Sequence, residues 1–284
     1  MTVLAVIPAR YGSTRFPGKP LADLCGKPLV VHVAERARDA RSVGDVLVAT
    51  DDERIRAAVE AHGFRAVMTS PDCPSGSDRI AEAIAAYPDA DVIVNVQGDE
   101  PLMRAEVIDR AVAALERDPD CAVATAMIRI TSEEQFLSPH VVKVICDRSG
   151  RALYFSRSPI PHLSRASEQD MLALAPNARV VLGGGPTRRD RTRRPVSSTT
   201  GASRFWGFKH FGLYVYRREA LLDFVKMPPS PLEQVEKLEQ LRFLEAGQTI
   251  RVIETSLDSI GVDTPEDLEA ARRMMVAAVQ GDGL

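Results

Sequence analysis

The sequence is poor in the residues that build disulfide, thiolate or zinc chemistry. Its four cysteines, Cys25, Cys73, Cys121 and Cys146, lie far apart and form no Cys-x-x-Cys pair, so reduced cytosolic thiols are the simple reading and a cytoplasmic location is expected. The five histidines (His32, His62, His140, His162, His210) also lack metal-ligand spacing. A zinc centre is therefore not expected, and any metal should be held by carboxylates. No apolar run approaches membrane-spanning length. The opening segment Met1 to Pro8 is apolar, but it lacks a basic start and stops at Pro8 and Arg10, so it predicts a first strand rather than a signal peptide. An excess of one charge is missing too: the formal net charge of -3 is spread over both signs. That argues against nucleic acid or a membrane surface as the default partner, and any bound anion must be held locally.

What is present is ordinary globular composition, 284 residues with 45% hydrophobic and 26% charged, enough to bury a full core. The first half alternates β-branched runs with amphipathic stretches: Val3 to Ile7, Leu29 to Ala40, Val46 to Ala49, Glu53 to His62, Ala66 to Met68 and Asp78 to Tyr87. Strand-helix repetition predicts an α/β fold, a mainly parallel sheet with helices on both faces. Asp91 to Gln97 is nearly continuous in apolar residues, as a central buried strand should be. Ligands in such folds bind beyond the carboxyl ends of the strands, which singles out the loops after Ile7 and Val96.

Beyond about residue 120 longer β runs follow (Ala122 to Ile130, Val141 to Cys146, Ala152 to Phe155, Phe208 to Tyr216). They predict mixed or antiparallel pairing, a subdomain of about 120–218 added to the same sheet of a single 1–284 domain. A helix over Pro231 to Ala246, a strand over Thr249 to Ile253 and a helix over Pro265 to Val279 close the chain. Between Ser164 and Arg204, Gly183-Gly184-Gly185-Pro186 and the run Arg188 to Arg194 have the composition of a mobile basic loop. Two readings stand for it, a solvated insertion or a functional lid or partner arm.

The loop after the first strand, Pro8-Ala9-Arg10-Tyr11-Gly12-Ser13-Thr14-Arg15-Phe16-Pro17-Gly18-Lys19, combines three cations with glycines and hydroxyls. Glycines let backbone N–H groups approach phosphate oxygens, and the cations offset their charge. It is not a Walker A loop, because five residues rather than four separate Gly12 from Gly18 and Pro20 stands where that motif needs Ser or Thr. Asn95-Val96-Gln97-Gly98-Asp99-Glu100-Pro101 places Asp99 just past the central strand, either as a magnesium ligand or as the start of a turn. In Ile260-Gly261-Val262-Asp263-Thr264-Pro265-Glu266-Asp267, Thr264 and Asp267 read as a capping box, which leaves Asp263 available as a second carboxylate. Ser230-Pro231-Leu232-Glu233 has the same pattern, so Glu233 reads as the capping glutamate of a helix whose Leu232, Val235, Leu238 and Leu241 face the core. Ser75-Gly76-Ser77-Asp78-Arg79 reads as a helix start, with Arg79 either a phosphate or ribose contact or a solvated first-turn residue.

Taken in order, the segments Ile7 to Leu21, Ala49 to Asp51, Ser75 to Arg79, Val94 to Pro101, Tyr154 to Arg157, His210 to Arg217, Pro229 to Gln234 and Gly261 to Leu268 closely resemble the 3-deoxy-manno-octulosonate cytidylyltransferase (CMP-Kdo synthetase) family of bacterial lipopolysaccharide assembly. The resemblance covers essentially everything outside the basic insertion; the connection from Pro161 to His210 is longer than the family's usual one, and Ser77 and Asp78 replace its common Thr and Glu. It implies a Rossmann-like nucleotidyltransferase fold, a homodimer, and transfer of CMP from CTP to a 3-deoxy-ulosonic acid (Kdo) with Mg2+. Matched by motif, Ala9, Arg10, Ser13, Arg15 and Lys19 would hold the triphosphate, and Ser75 and Arg79 would place the nucleotide. Asp99 and Asp263 would carry magnesium and act in catalysis with Lys19 and Arg15. Gln97, Arg157, His210, Glu233 and Gln234 would line the sugar-acid pocket. Three rivals are weighed against it. CMP-sialate synthetases, or an enzyme for the 8-amino analogue of Kdo, share the chemistry, though the former match the first loop less well. A non-catalytic CTP- or sugar-binding regulator would not need both Asp99 and Asp263. The Arg188 to Arg194 run would suit docking on an acidic partner or membrane.

Overall fold

The computed structural model describes residues 1–12, 16–162 and 206–281. The expected phosphate contacts Ser13 and Arg15 and the basic segment 164–204 lie outside the described residues. Unbroken apolar sequence lets β1 (Val3–Ala9) bury both faces: Val3, Ala5 and Ile7 enter one core, Leu4 and Val6 the other. After the first loop a short ribbon of β2 (Asp23–Leu24) and β3 (Lys27–Pro28) leads into α1 (Leu29–Arg38). The chain then alternates through β4 (Asp45–Thr50), α2 (Glu53–Ala61), β5 (Arg65–Met68), α3 (Gly76–Ala83) and β6 (Val92–Val96). β4 and β6 flank β1, both in parallel, and β5 adds beyond β4. Chain order thus reverses at β1, the position where open α/β sheets bind ligands.

α4 (Ala105–Arg117), which no strand-helix assignment from sequence had included, covers the sheet through Val107, Ile108, Ala111, Val112 and Leu115. β7 (Cys121–Arg129), α5 (Glu133–Leu137), β8 (Lys143–Cys146) and β9 (Ala152–Ser156) follow. β10 (Phe208–Arg217) is antiparallel to both β6 and β7 and lies between them. The later strands β7 and β10 therefore build the central sheet itself, in the order β11-β7-β10-β6-β1-β4-β5, while β8 and β9 form a hairpin paired to β10. β11 (Thr249–Thr255) pairs in parallel with β7. α1, α4 and the last helix α9 (Pro265–Gly281) pack on one face, and α3, α6 (Arg218–Phe224) and α8 (Leu241–Glu245) on the other.

One expected helix is broken. In place of a continuous Pro231 to Ala246 stretch the chain forms α7 (Pro231–Glu236) and α8, separated where Lys237 takes a left-handed conformation, φ 55°. The four residues expected on one apolar stripe divide accordingly. Leu238 and Leu241 are buried, whereas Leu232 is 39% and Val235 81% exposed. The break folds α7 back so that Glu233 meets Arg242 of α8 in a two-pronged ion pair, with Oε1 and Oε2 accepting at 2.5 and 2.7 Å.

Candidate active site

The loops after β1 and β6 are brought into contact by Gly98. A Cβ there would stand 2.7 Å from the Pro8 carbonyl oxygen, so only glycine permits the approach. In the first loop Gly18 takes φ 71°, its N–H donating to the Tyr11 carbonyl at 3.0 Å, and the Tyr11 ring stacks under the Arg54 guanidinium at 3.5 Å. This turn aims Lys19, which opens a 3-10 turn, back across the sheet edge.

The Lys19 ammonium donates to Asp99 Oδ2 at 2.8 Å and to Asp263 Oδ1 at 3.2 Å. Three segments remote in sequence therefore meet at one point. Asp263 is positioned by its neighbours: the Val262 N–H donates to the Asp99 carbonyl at 2.8 Å, and the Asp267 carboxylate accepts from the backbone of Asp263 and Thr264 at 3.0 and 2.9 Å. Asp267 is thus the capping-box partner expected from the sequence. Two half-exposed carboxylates converging on one ammonium form a hard-oxygen pair that fits a divalent cation sharing its remaining positions with water and phosphate. Among the described residues no cluster of three or more such ligands exists.

Around this triad opens a cavity of about 360 Å3 lined in part by Ala9, Arg10, Ser75, Arg79, Gln97 and Glu239. Ser75 is the N-cap of α3, accepting from the Asp78 N–H at 3.3 Å, so the helix presents its positive end to the cavity. Arg79 is not the solvated residue that one sequence reading allowed. It is 3% exposed and donates to Asp51 Oδ2 at 2.9 Å and Thr69 Oγ1 at 2.6 Å.

The residues expected to bind the sugar are not gathered in this cavity. Gln97 lines it, its amide donating to Asn95 Oδ1 at 2.9 Å. His210 lies on β10 with Nε2 2.9 Å from Thr125 Oγ1, edge-on to Phe155; desolvation lowers its pKa to about 3, so the ring is neutral. Because Thr125 donates to the Leu213 carbonyl at 2.7 Å, the imidazole N–H is the donor toward Thr125. Arg157 spends its guanidinium on backbone carbonyls of Glu236 and Pro139, at 2.9 and 3.1 Å. Glu233 is 8% exposed and committed to Arg242 and the Ser230 N–H; burial pushes its pKa up, but these bonds outweigh burial and leave it low. Gln234 donates to the Pro229 carbonyl at 3.0 Å.

Two residues without an assigned sequence role stand at or beside the site. Glu239, in the turn created by the Lys237 break, lines the cavity; desolvation raises its pKa, opposed by the Ser77 hydroxyl donating at 2.9 Å. Glu100, next to Asp99 in sequence, accepts from the Ser259 hydroxyl at 2.5 Å, a bond that opposes the desolvation raising its pKa to about 7. Glu100 stands inside a recognisable motif, whereas nothing in Leu238-Glu239-Gln240 signals a helix break.

A glycine- and cation-bearing loop beside a carboxylate pair, at the reversal point of a mainly parallel sheet, is the arrangement of the nucleotidyltransferase class. The cytidylyltransferase family model matches residues 4–250, and the chain belongs to that family. It is 51% identical to a 3-deoxy-manno-octulosonate cytidylyltransferase from Geobacter metallireducens, covering 95% of this chain and 96% of the relative. The same-named protein of Geobacter sulfurreducens is 49% identical, covering 95% and 97%. A solved structure of a CMP:2-keto-3-deoxy-manno-octonic acid synthetase complexed with CTP superposes with a TM-score of 0.81 at 39% identity, over 98% of this chain and 100% of that one.

Proposed function

We propose that this cytidylyltransferase transfers CMP from CTP to the anomeric hydroxyl of 3-deoxy-manno-octulosonate, supplying CMP-Kdo for lipopolysaccharide assembly. The observation that carries the reading is Lys19 bridging Asp99 and Asp263 at the mouth of the nucleotide cavity. Identity of about half the residues with enzymes named for this reaction supports the choice of sugar acid.

In the reaction the anomeric oxygen forms a bond to the α-phosphorus, the bond between that phosphorus and the bridging oxygen to the β-phosphate breaks, pyrophosphate leaves, and the hydroxyl proton passes to water. Positioning and charge neutralisation dominate such transfers. Lys19 and Arg10 would offset triphosphate charge beside the amino end of α3, and Arg79, locked by Asp51, would fix the nucleotide wall of the cavity. Asp99 and Asp263 would hold Mg2+, which when bound supplies charge neutralisation on the phosphates. Gln97 and His210, the latter as a neutral hydrogen-bonding ring, would face the sugar acid, with Arg157, Glu233 and Gln234 supporting the pocket wall around α7. The segment 120–218 would carry the sugar pocket and the contact of a homodimer, and the enzyme would work in the cytoplasm; among the described residues no helix is long and apolar enough to cross a membrane.

The test is pyrophosphate release measured with each of the four nucleoside triphosphates against Kdo, its 8-amino analogue and sialic acid. CTP with Kdo is expected to give the highest kcat/KM. Comparable turnover with sialic acid, or with UTP, would sink the assignment.

A further inference from the structure

Residues 257–263, which deliver Asp263, have no regular secondary structure, so their place is set by tethers rather than by a ladder or helix. One tether is the Val262 N–H to Asp99 carbonyl bond, and another is Lys209, which donates to Asp258 at 2.7 Å from β10. The third joins side chains 159 positions apart: the Ser259 hydroxyl donates to Glu100 Oε2 at 2.5 Å. Glu100 follows Asp99 directly, and its other carboxyl oxygen faces Gly261 and Gly212, 3.5 and 3.9 Å from where their Cβ atoms would stand. The Glu100 carboxyl is thereby wedged between the loop that carries Asp99, the loop that carries Asp263, and β10.

We infer that Glu100 and Ser259 form a latch that fixes the spacing of Asp99 and Asp263. Two carboxylates brought together repel each other whenever the Lys19 ammonium between them turns to a phosphate, and the Ser259–Glu100 hydrogen bond across the two loops resists that separation. Glu100 is a positioning residue: it acts through the ligand pair and is not among the residues lining the cavity. The inference rests on the reading of Asp99 and Asp263 as the magnesium-holding pair, and it predicts that cutting the latch weakens divalent-ion binding while leaving the chain folded.

The experiment measures Mn2+ affinity of the CTP complex by paramagnetic resonance, alongside Tm, for Glu100→Ala, Ser259→Ala, Glu100→Gln, the double Glu100→Ala/Ser259→Ala variant and Asp99→Asn. Glu100→Ala and Ser259→Ala should each weaken Mn2+ binding on the order of tenfold, the double variant no further than either single one. Glu100→Gln, whose amide oxygen still accepts from Ser259, should bind nearly as the unsubstituted protein does. Ser259→Ala removes only a hydroxyl at a partly exposed position and decides the matter if Glu100→Ala fails to fold. Unchanged affinity in Ser259→Ala, additive losses, or a Glu100→Gln variant as weak as Glu100→Ala would each overturn the latch. If Asp99→Asn binds Mn2+ normally as well, the carboxylate-pair reading falls with it; if Asp99→Asn alone loses Mn2+, that reading stands and only the latch falls.

Discussion

His210 shows what burial does to a single side chain. The ring is packed against Phe155 and Tyr214, and its pKa is about 3 against an ordinary 6.5. Above pH 6.5 folded and unfolded chains both carry a neutral ring, and the residue contributes nothing to pH dependence. Below it the unfolded chain gains a proton that the folded chain refuses, so stability falls as pH falls, until about pH 3. At about 1.36 kcal/mol per pH unit the loss between pH 6.5 and pH 5 is up to about 2 kcal/mol. Urea unfolding at pH 7 and pH 5 should show this loss in the unsubstituted protein and a smaller one in His210→Gln; equal losses would contradict a ring held neutral. The motif around His210 was legible in the sequence, but its protonation state was not, because the desolvating Phe155 comes from another strand.

Among the elements, α7 and α8 separate most clearly what pattern and packing each decide. Lys237, Leu238, Glu239 and Gln240 are ordinary helix formers, and local propensity gives no reason for the chain to stop there. Tertiary packing overrides it. The left-handed Lys237 buries Leu238 and Leu241, turns Glu239 into the cavity and places Arg242 on Glu233. Arg242→Ala leaves a carboxylate that is 8% exposed without its cation and should lower unfolding stability by about 3–5 kcal/mol. Glu233→Gln, which keeps a polar partner for Arg242, should cost less. Urea titration of both variants checks the order, and an Arg242→Ala variant as stable as its parent would show the pair to be dispensable. By contrast, the two capping boxes, at Glu233 and Asp267, were readable because a cap is a contact between residues three apart.

Over the whole molecule, the site exists only when three regions meet: the loop after β1, the loop after β6 and the segment before α9. Lys19 and Asp263 are 244 positions apart, and their contact requires the complete sheet. Ligand binding should therefore stabilise the fold globally. CTP with Mg2+ at about a hundred times Kd should raise unfolding stability by about 2.7 kcal/mol. Thermal melts with CTP alone, with CTP and Mg2+, and with CTP and a chelator test this, and equal shifts in all three would argue against a metal-dependent triphosphate site. The sequence by itself determined the parallel α/β core, the cation-rich loop at its carboxyl edge and the two carboxylates, because strand burial, glycine turns and caps are written in residues a few positions apart. Only the tertiary structure decided that Lys19 bridges those carboxylates, that Glu239 rather than Glu233 faces the cavity, and that Glu100 ties the two loops together. Those outcomes depend on strand order, on the β10 insertion between β6 and β7 and on a helix break driven by packing, none of which has a local signature.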